Sequence, residues 1–182
     1  MIEDSARRMF TLITNLLDVN AIESGKIHTH LEKLDILPVV SQLVQTYAER
    51  ATVKNINIDF QVSEPHYIAF VDYNITQQML DNLISNAIKY SPHYKNVTVK
   101  IYANDGYVHC EIQDEGPGLS EADQKKLFGK FTRLSTKPTG DEHSTGLGLF
   151  IVKKRVTALN GRVWCESEFG NGAKFTVAFP IK

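Results

Sequence analysis

Asp114-Glu115-Gly116-Pro117-Gly118-Leu119 follows a strand-like run and precedes a helix-like one. A carboxylate therefore ends a strand, and two glycines then free the backbone to turn tightly and come close to a ligand. An ionised carboxylate accepts hydrogen bonds and cannot donate them. A buried Asp114 would thus select a ligand with an N–H to give, such as the exocyclic amine of adenine. Taken alone, D-x-G-x-G also describes an ordinary turn, and the stretches around it decide the reading.

Working outward, Val97 to Ala103 and Tyr107 to Gln113 form a hairpin pattern around Asn104-Asp105-Gly106. Upstream, Asp35 caps a helix from Ile36 to Val53, with Leu37, Val40, Leu43, Val44 and Tyr47 on one face and Pro38 in the first turn. Asn57 to Val62 alternates as a strand with Ile58, Phe60 and Val62 inward, and Ile68 to Val71 is its short partner. Tyr73 to Tyr90 is a long amphipathic helix closed by Ser91-Pro92. Downstream, Ser120 starts a short helix, and Leu134 to Ser144 is a polar loop without periodicity. Gly146 to Leu159 is helical again, ended by Asn160-Gly161. Arg162 to Glu166 and Ala173 to Pro180 are closing strands. Strands that arrive in adjacent pairs with helices between them predict an α+β two-layer sandwich, a mixed, mostly antiparallel sheet packed against helices.

The first 33 residues stand apart as a separate amphipathic helix and linker, and residues 34–182 form the main domain. From Ser5 to Ser24, Ala6, Met9, Phe10, Ile13, Leu16, Leu17, Ala21 and Ile22 recur at helical spacing, before a stop at Gly25 and a polar linker from Lys26 to Lys33. That stripe needs a cover, either the domain that follows or another chain.

Twenty basic and 21 acidic residues give a net charge of −1, which supplies no electrostatic reason to expect nucleic acid or an anionic membrane as partner. Cys110 and Cys165 lie in strand-like runs without metal-ligand spacing and read as buried reduced thiols. With no apolar run of membrane length and no signal-peptide core, the chain reads as cytoplasmic.

Asn82, Asn86, Lys89 and Tyr90 are spaced i, i+4, i+7 and i+8 and share one helical face, while Met79, Leu80, Leu83, Ile84, Ala87 and Ile88 fill much of the remainder. Inward amides without partners cost on the order of 1–3 kcal/mol each. Their oxygens suit a hard cation, and Mg²⁺ prefers oxygen ligands shared with phosphates and water. Further on, Ser144-Thr145-Gly146-Leu147-Gly148-Leu149 runs into a helix, where free N–H groups and glycines make an anion site. It is neither a P-loop nor a dinucleotide G-x-G-x-x-G, since position 151 is Ile.

Together these stretches resemble the ATP-binding core of sensor histidine kinases, in the superfamily that also holds DNA gyrase, the ninety-kilodalton heat-shock chaperone and the MutL repair proteins. Asn82 to Tyr90 resembles the N box and Asp114 to Leu119 the first glycine box. Phe128 to Arg133 resembles the F box, Thr145 to Leu149 the second glycine box, and Gly170 to Phe175 the third. All five occur in the family's order. Leu16-Leu17-Asp18 with Ile22 to Lys26 is similar to the second helix of the family's dimerisation and phosphotransfer hairpin. The resemblance implies a homodimer through that helical bundle and a response regulator receiver domain as partner.

By that resemblance, ATP and Mg²⁺ are bound and the γ-phosphoryl passes to a histidine. Asp114 would bind the adenine amine and Asn86 would ligate Mg²⁺ with Asn82 beside it. Lys89 and Tyr90 would lie near the phosphates and base, and Arg133 would reach the γ-phosphate. Gly116, Gly118, Thr145, Gly146, Leu147, Gly148, Leu149 and Thr176 complete the nucleotide-binding set, and residues 134–144 would be a lid. The chain departs from the pattern at Ser144, where Gly often stands, and at Lys174, where a small hydroxyl residue is common. None of His28, His30, His66, His93, His109 or His143 sits in a phosphoacceptor context, so the chain reads as a fragment that begins after the acceptor helix. Two other readings are an ATP hydrolase of the gyrase kind and a nucleotide-binding docking module without catalysis. Hydrolases of that kind carry a Glu four residues before the Mg²⁺ ligand, where this chain has Asn82, which cannot take a proton at neutral pH.

Overall fold

The computed structural model describes residues 2–25, 28–132, 134–140 and 145–182, with the side chains of α1 (Ile2–Glu23) described at 9, 10 and from 12 onward. After α1 come β1 (Glu32–Asp35), α2 (Ile36–Val53), β2 (Asn57–Val62), β3 (Ile68–Val71) and α3 (Tyr73–Tyr90). Then follow β4 (Asn96–Asn104), β5 (Tyr107–Asp114), α4 (Glu121–Lys126), α5 (Gly148–Ala158), β6 (Arg162–Ser167) and β7 (Ala173–Pro180).

Five strands form one sheet in the order β2-β4-β5-β7-β6. The β2–β4 pair is parallel and the other three pairs are antiparallel. The β4–β5 turn explains itself locally. Asp105 and Gly106 both have positive φ, at 49° and 79°, the conformation whose twist matches a two-residue hairpin. Helices α2 and α3 pack on one another and, with α5, on the sheet. Ile36, Val40, Leu80, Ile84, Ile112, Val156 and Phe179 are fully enclosed in the core between them. The helix starts follow side-chain chemistry: Asp35 accepts from Leu37 N, Asp72 from Ile75 N and Ser120 from Asp123 N. Burial pushes the thiols of Cys110 and Cys165 up to about 12.

Three expectations need correction. β3 does not pair with β2. It pairs antiparallel with β1 in a separate two-stranded sheet, from Glu32↔Val71 to Asp35↔Ile68. The stretch read as linker up to Lys33 therefore ends inside a strand, and a division between residues 33 and 34 would cut β1. Val62 lies at the end of an edge strand and is exposed, whereas Ile58 and Phe60 pack on the core as expected. The third concerns α1, which is not wholly separate. Val19 is buried against Leu147 and Ile151, and Asp18 Oδ1 pairs with Arg155 Nη2 at 3.0 Å. Its remaining stripe of Met9, Phe10, Leu12, Ile13, Leu16 and Leu17 is exposed.

Candidate functional site

A cavity of about 250 Å³ lies between α3, the β5–α4 turn and the N-terminus of α5. Asn82, Asn86, Lys89 and Tyr90 line it from α3, and Asp114 and Gly118 from the first glycine stretch. Thr145, Gly146, Gly148 and Leu149 line it from the second. The sequence separation of these groups is large, and the sheet brings them together because β5 ends beside α3.

Asp114 is 5% exposed at the C-terminal end of β5. Its Oδ1 accepts from Gly116 N at 2.8 Å. Burial pushes its carboxyl up to about 6, against the lowering effect of the Gly116 and Ala173 N–H groups. This is a charged-or-neutral acceptor held in an apolar floor, with Leu119, Leu127 and Phe175 around the same cavity. The glycines here are steric necessities. A Cβ on Gly118 (φ +66°) would stand 2.0 Å from Glu168 O, and one on Gly172 (φ +79°) 2.0 Å from Asp114 O. The Gly170–Gly172 turn is thus more than a hairpin turn: it is packed onto the first glycine stretch, with Gly170 N donating to Pro117 O at 2.8 Å.

Across the cavity, α5 begins at Gly148 without a side-chain cap, and Thr145 Oγ1 accepts from Leu147 N at 3.3 Å. Uncapped N–H groups with the positive end of a helix behind them favour an anion. On α3, Asn86 Nδ2 donates to Asn82 Oδ1 at 3.1 Å, and Asn86 Oδ1 is the acceptor that this bond leaves over. Gly148 is packed against Asn82, whose Nδ2 would meet an added Cβ at 2.7 Å. The Lys89 ammonium lies 5.7 Å from the centroid of the Tyr90 ring.

Three residues of the expected set do not line the cavity. Gly116 supports Asp114 from behind, and Leu147 is buried in the cluster with Val19 and Ile151. Thr176 is a correction of a different kind. Strand alternation puts Ala173 and Phe175 on the cavity side, so Thr176 faces the other side, opposite Glu111 and Trp164. Lys174 shares that outer face and pairs with Glu166 at 2.9 Å, which is why its departure from the pattern leaves the cavity untouched. Arg133 and Ser144 lie outside the described residues, as do residues 141–143 of the expected lid.

Sequence reasoning missed Asn15 and Ser85, which also line the cavity, as do Thr132 of the F-box stretch and Thr136 of the expected lid, neither of which it had named individually. Asn15 comes from α1 and donates to Thr145 Oγ1 at 3.2 Å. Ser85 had a signal, lying between Asn82 and Asn86; Asn15 had none. The polar loop after Leu134 carries an anchor that its composition did not show: Ser135 donates to Asp123 from both its backbone and its hydroxyl. That hydroxyl foremost, with Lys126 and Ser120, holds the Asp123 carboxyl down to about 2.

Residues 71–182 match the family model described as histidine kinase-, DNA gyrase B-, and HSP90-like ATPase. The chain is 30% identical to the circadian input-output histidine kinase CikA of Synechococcus elongatus over 181 residues, covering 98% of this chain and 24% of that protein. It is also 30% identical to the sensor histidine kinase WalK of Bacillus subtilis over 182 residues, covering 99% of this chain and 30% of the other. The chain thus spans less than a third of these relatives. Among solved structures, full-length ShkA in complex with AMPPNP superposes with a TM-score of 0.85 at 28% identity, over 97% of this chain and 36% of ShkA. The histidine kinase AdeS of Acinetobacter baumannii shares the fold, with a TM-score of 0.80 at 22% identity, over 98% of this chain and 81% of AdeS.

Proposed function

This chain belongs to the family of histidine kinase-, DNA gyrase B- and HSP90-like ATPases, and from that premise we propose that it is the ATP-binding catalytic part of a two-component sensor histidine kinase. The observation that carries the reading is the opposition within one cavity of a buried Asp114 and the uncapped N-terminus of α5. The first suits the adenine amine and the second suits phosphates. The relatives named as histidine kinases and the AMPPNP in ShkA support the same assignment.

In this reading Asp114 takes the base, Tyr90 lies near it, and Lys89 with the Thr145–Leu149 turn holds the phosphates. Arg133, outside the described residues, would serve the γ-phosphate by the family resemblance. Asn86 would hold Mg²⁺ through its amide oxygen, with Asn82 fixing the amide plane. Such a site fits an ion that completes its shell with phosphate and water oxygens rather than a protein cage. Bound there, Mg²⁺ would neutralise phosphate charge during transfer. The chain's own groups position the nucleotide and exclude water, which is most of what phosphoryl transfer asks of a protein. The γ-phosphoryl goes to a histidine outside residues 1–182 and from there to a response regulator receiver domain. The exposed apolar stripe of α1 supports a homodimer built through a helical bundle, which in this reading sits in the cytoplasm. No described helix is long and apolar enough to cross a membrane. Hydrolysis is disfavoured because Asn82 offers no base.

Calorimetric titration with Mg·AMPPNP tests the binding step. Incubation with γ-labelled ATP, with and without a separately supplied helical hairpin carrying an acceptor histidine, tests transfer. We expect binding without self-labelling, and labelling of the added hairpin. Acid-labile phosphate on the chain itself would overturn the acceptor assignment, and absence of binding would overturn the whole reading.

A further inference from the structure

The last turn of α3 is a junction, and the residue that closes it comes from another helix. At a helix C-terminus the final carbonyls have no helical donor. Lys54, the C-cap residue of α2, is only 7% exposed and reaches across to two of them. Its Nζ lies 3.1 Å from both Ile88 O and Lys89 O, and 3.1 Å from Thr139 Oγ1 in the polar loop. Thr139 completes the knot, with its N–H donating to Lys89 O at 3.1 Å and its hydroxyl to Ser91 O at 2.6 Å. A cation at the negative end of a helix is favoured by the helix dipole as well as by these bonds.

Both things tied together here face the cavity. Lys89 and Tyr90 line it from the α3 side, and Thr136, three residues before Thr139, lines it from the loop. The Tyr90 carbonyl also abuts the Asp114 turn, where an added Cβ on Gly116 would come within 2.8 Å of it. A loop without an apolar period gains little from burial, while ordering its backbone costs ~1–2 kcal/mol per residue. Among its described residues, Leu134 packs against the core and hydrogen bonds at Ser135 and Thr139 hold the stretch beside the cavity.

We propose that Lys54 is a positioning residue for nucleotide binding, holding the Thr136–Thr139 wall against the end of α3. The inference rests on the reading of the cavity as a nucleotide site. It deepens that reading by naming a residue that touches no cavity surface yet sets the position of one wall.

The test is titration of Mg·AMPPNP into the wild-type chain, Lys54→Met, Thr139→Val and the double variant, with amide hydrogen exchange on the same samples. If the wall is in place about a tenth of the time in Lys54→Met, apparent affinity falls about tenfold. Exchange should quicken at residues 135–140 while the middle of α3 stays protected. Thr139→Val should weaken binding in the same way, and the double variant should be no weaker than the weaker single one, since both remove one link. Affinities of the single variants within about twofold of wild type would overturn the proposal, as would additive losses in the double variant. If Lys54→Met does not fold, Thr139→Val, which leaves Lys54 on the α3 carbonyls, decides by the same criterion. A wild-type chain that binds no AMPPNP brings down the nucleotide reading and this inference together, an outcome distinct from normal wild-type binding that the variants leave unchanged.

Discussion

The Asn86 Nδ2 donates to Asn82 Oδ1 at 3.1 Å, so one amide orients the other across a single helical turn. Asn82→Ala removes the orienting bond, worth ~0.5–1.5 kcal/mol, and leaves the Asn86 oxygen in place. Mg·AMPPNP affinity should then fall roughly two- to tenfold. Asn86→Ala removes the oxygen itself and should weaken AMPPNP more in Mg²⁺ buffer than in EDTA. Calorimetry in the two buffers checks this, and equal losses in both would detach Asn86 from the metal.

Asp114→Asn replaces a charged acceptor by a group that also presents donors. Loss of a hydrogen bond to a charged group costs ~1.5–3 kcal/mol, or roughly one to two decades in affinity for adenine nucleotides. A change of less than about threefold in the calorimetric constant would remove Asp114 from the base-binding role.

The same carboxyl makes a prediction about pH. Burial raises it from 3.8 to about 6 in the folded chain, so the native state binds this proton more tightly than the unfolded state does. Lowering the pH from 7 to 5 should therefore stabilise the nucleotide-free wild type relative to Asp114→Asn, by on the order of 1 kcal/mol. AMPPNP affinity should move the opposite way and weaken as pH falls through 6, because the charged acceptor is lost. Denaturant melts and titrations at both pH values read the two signs independently.

Gly118→Ala and Gly172→Ala should each cost more stability than Gly170→Ala. All three have positive φ, but an added Cβ meets backbone oxygen at 2.0 Å at the first two positions and nothing within 4 Å at Gly170. The left-handed conformation alone costs an L-residue ~1–2 kcal/mol, and forced overpacking adds ~1–3 kcal/mol. Thermal melts that rank Gly170→Ala as the most damaging would contradict the contact between the two glycine turns.

Asp123→Ala should release Ser135 and destabilise the chain at neutral pH. The Asp123 carboxyl sits at about 2 in the folded chain, below its ordinary 3.8. Its stabilising contribution is present above the ordinary value and is lost as pH falls through the folded one. The stability gap between wild type and variant should thus be full at pH 7 and close between about pH 4 and 2. A gap that persists unchanged at acid pH would show that the carboxylate charge plays no part.

Much of the site was legible because its signals are short-range. The i, i+4, i+7, i+8 spacing of Asn82 to Tyr90 places four side chains on one helical face whatever the helix packs against, and all four line the cavity. Thr176 shows the limit of motif reading. Ala173 and Phe175 of the same strand line the cavity, and a period of two carries Thr176, the residue after Phe175, to the far face. Asn15 shows another limit, since 130 residues separate it from the Thr145 hydroxyl it meets.

The sequence by itself determined the helices and every strand except β1, together with the Asp35 cap, the Ser120 helix start and the Asp105-Gly106 turn, because each of these depends on dihedrals and side chains within a few residues. Tertiary structure alone decided that β3 pairs with β1, that β2 runs parallel to β4, and that Val19 docks on α5. It also decided that Lys54 closes the end of α3 over Thr139. Strand edges, helix-end carbonyls and apolar faces are satisfied by whichever partner the finished fold brings near, and that partner is not written in the residues beside them.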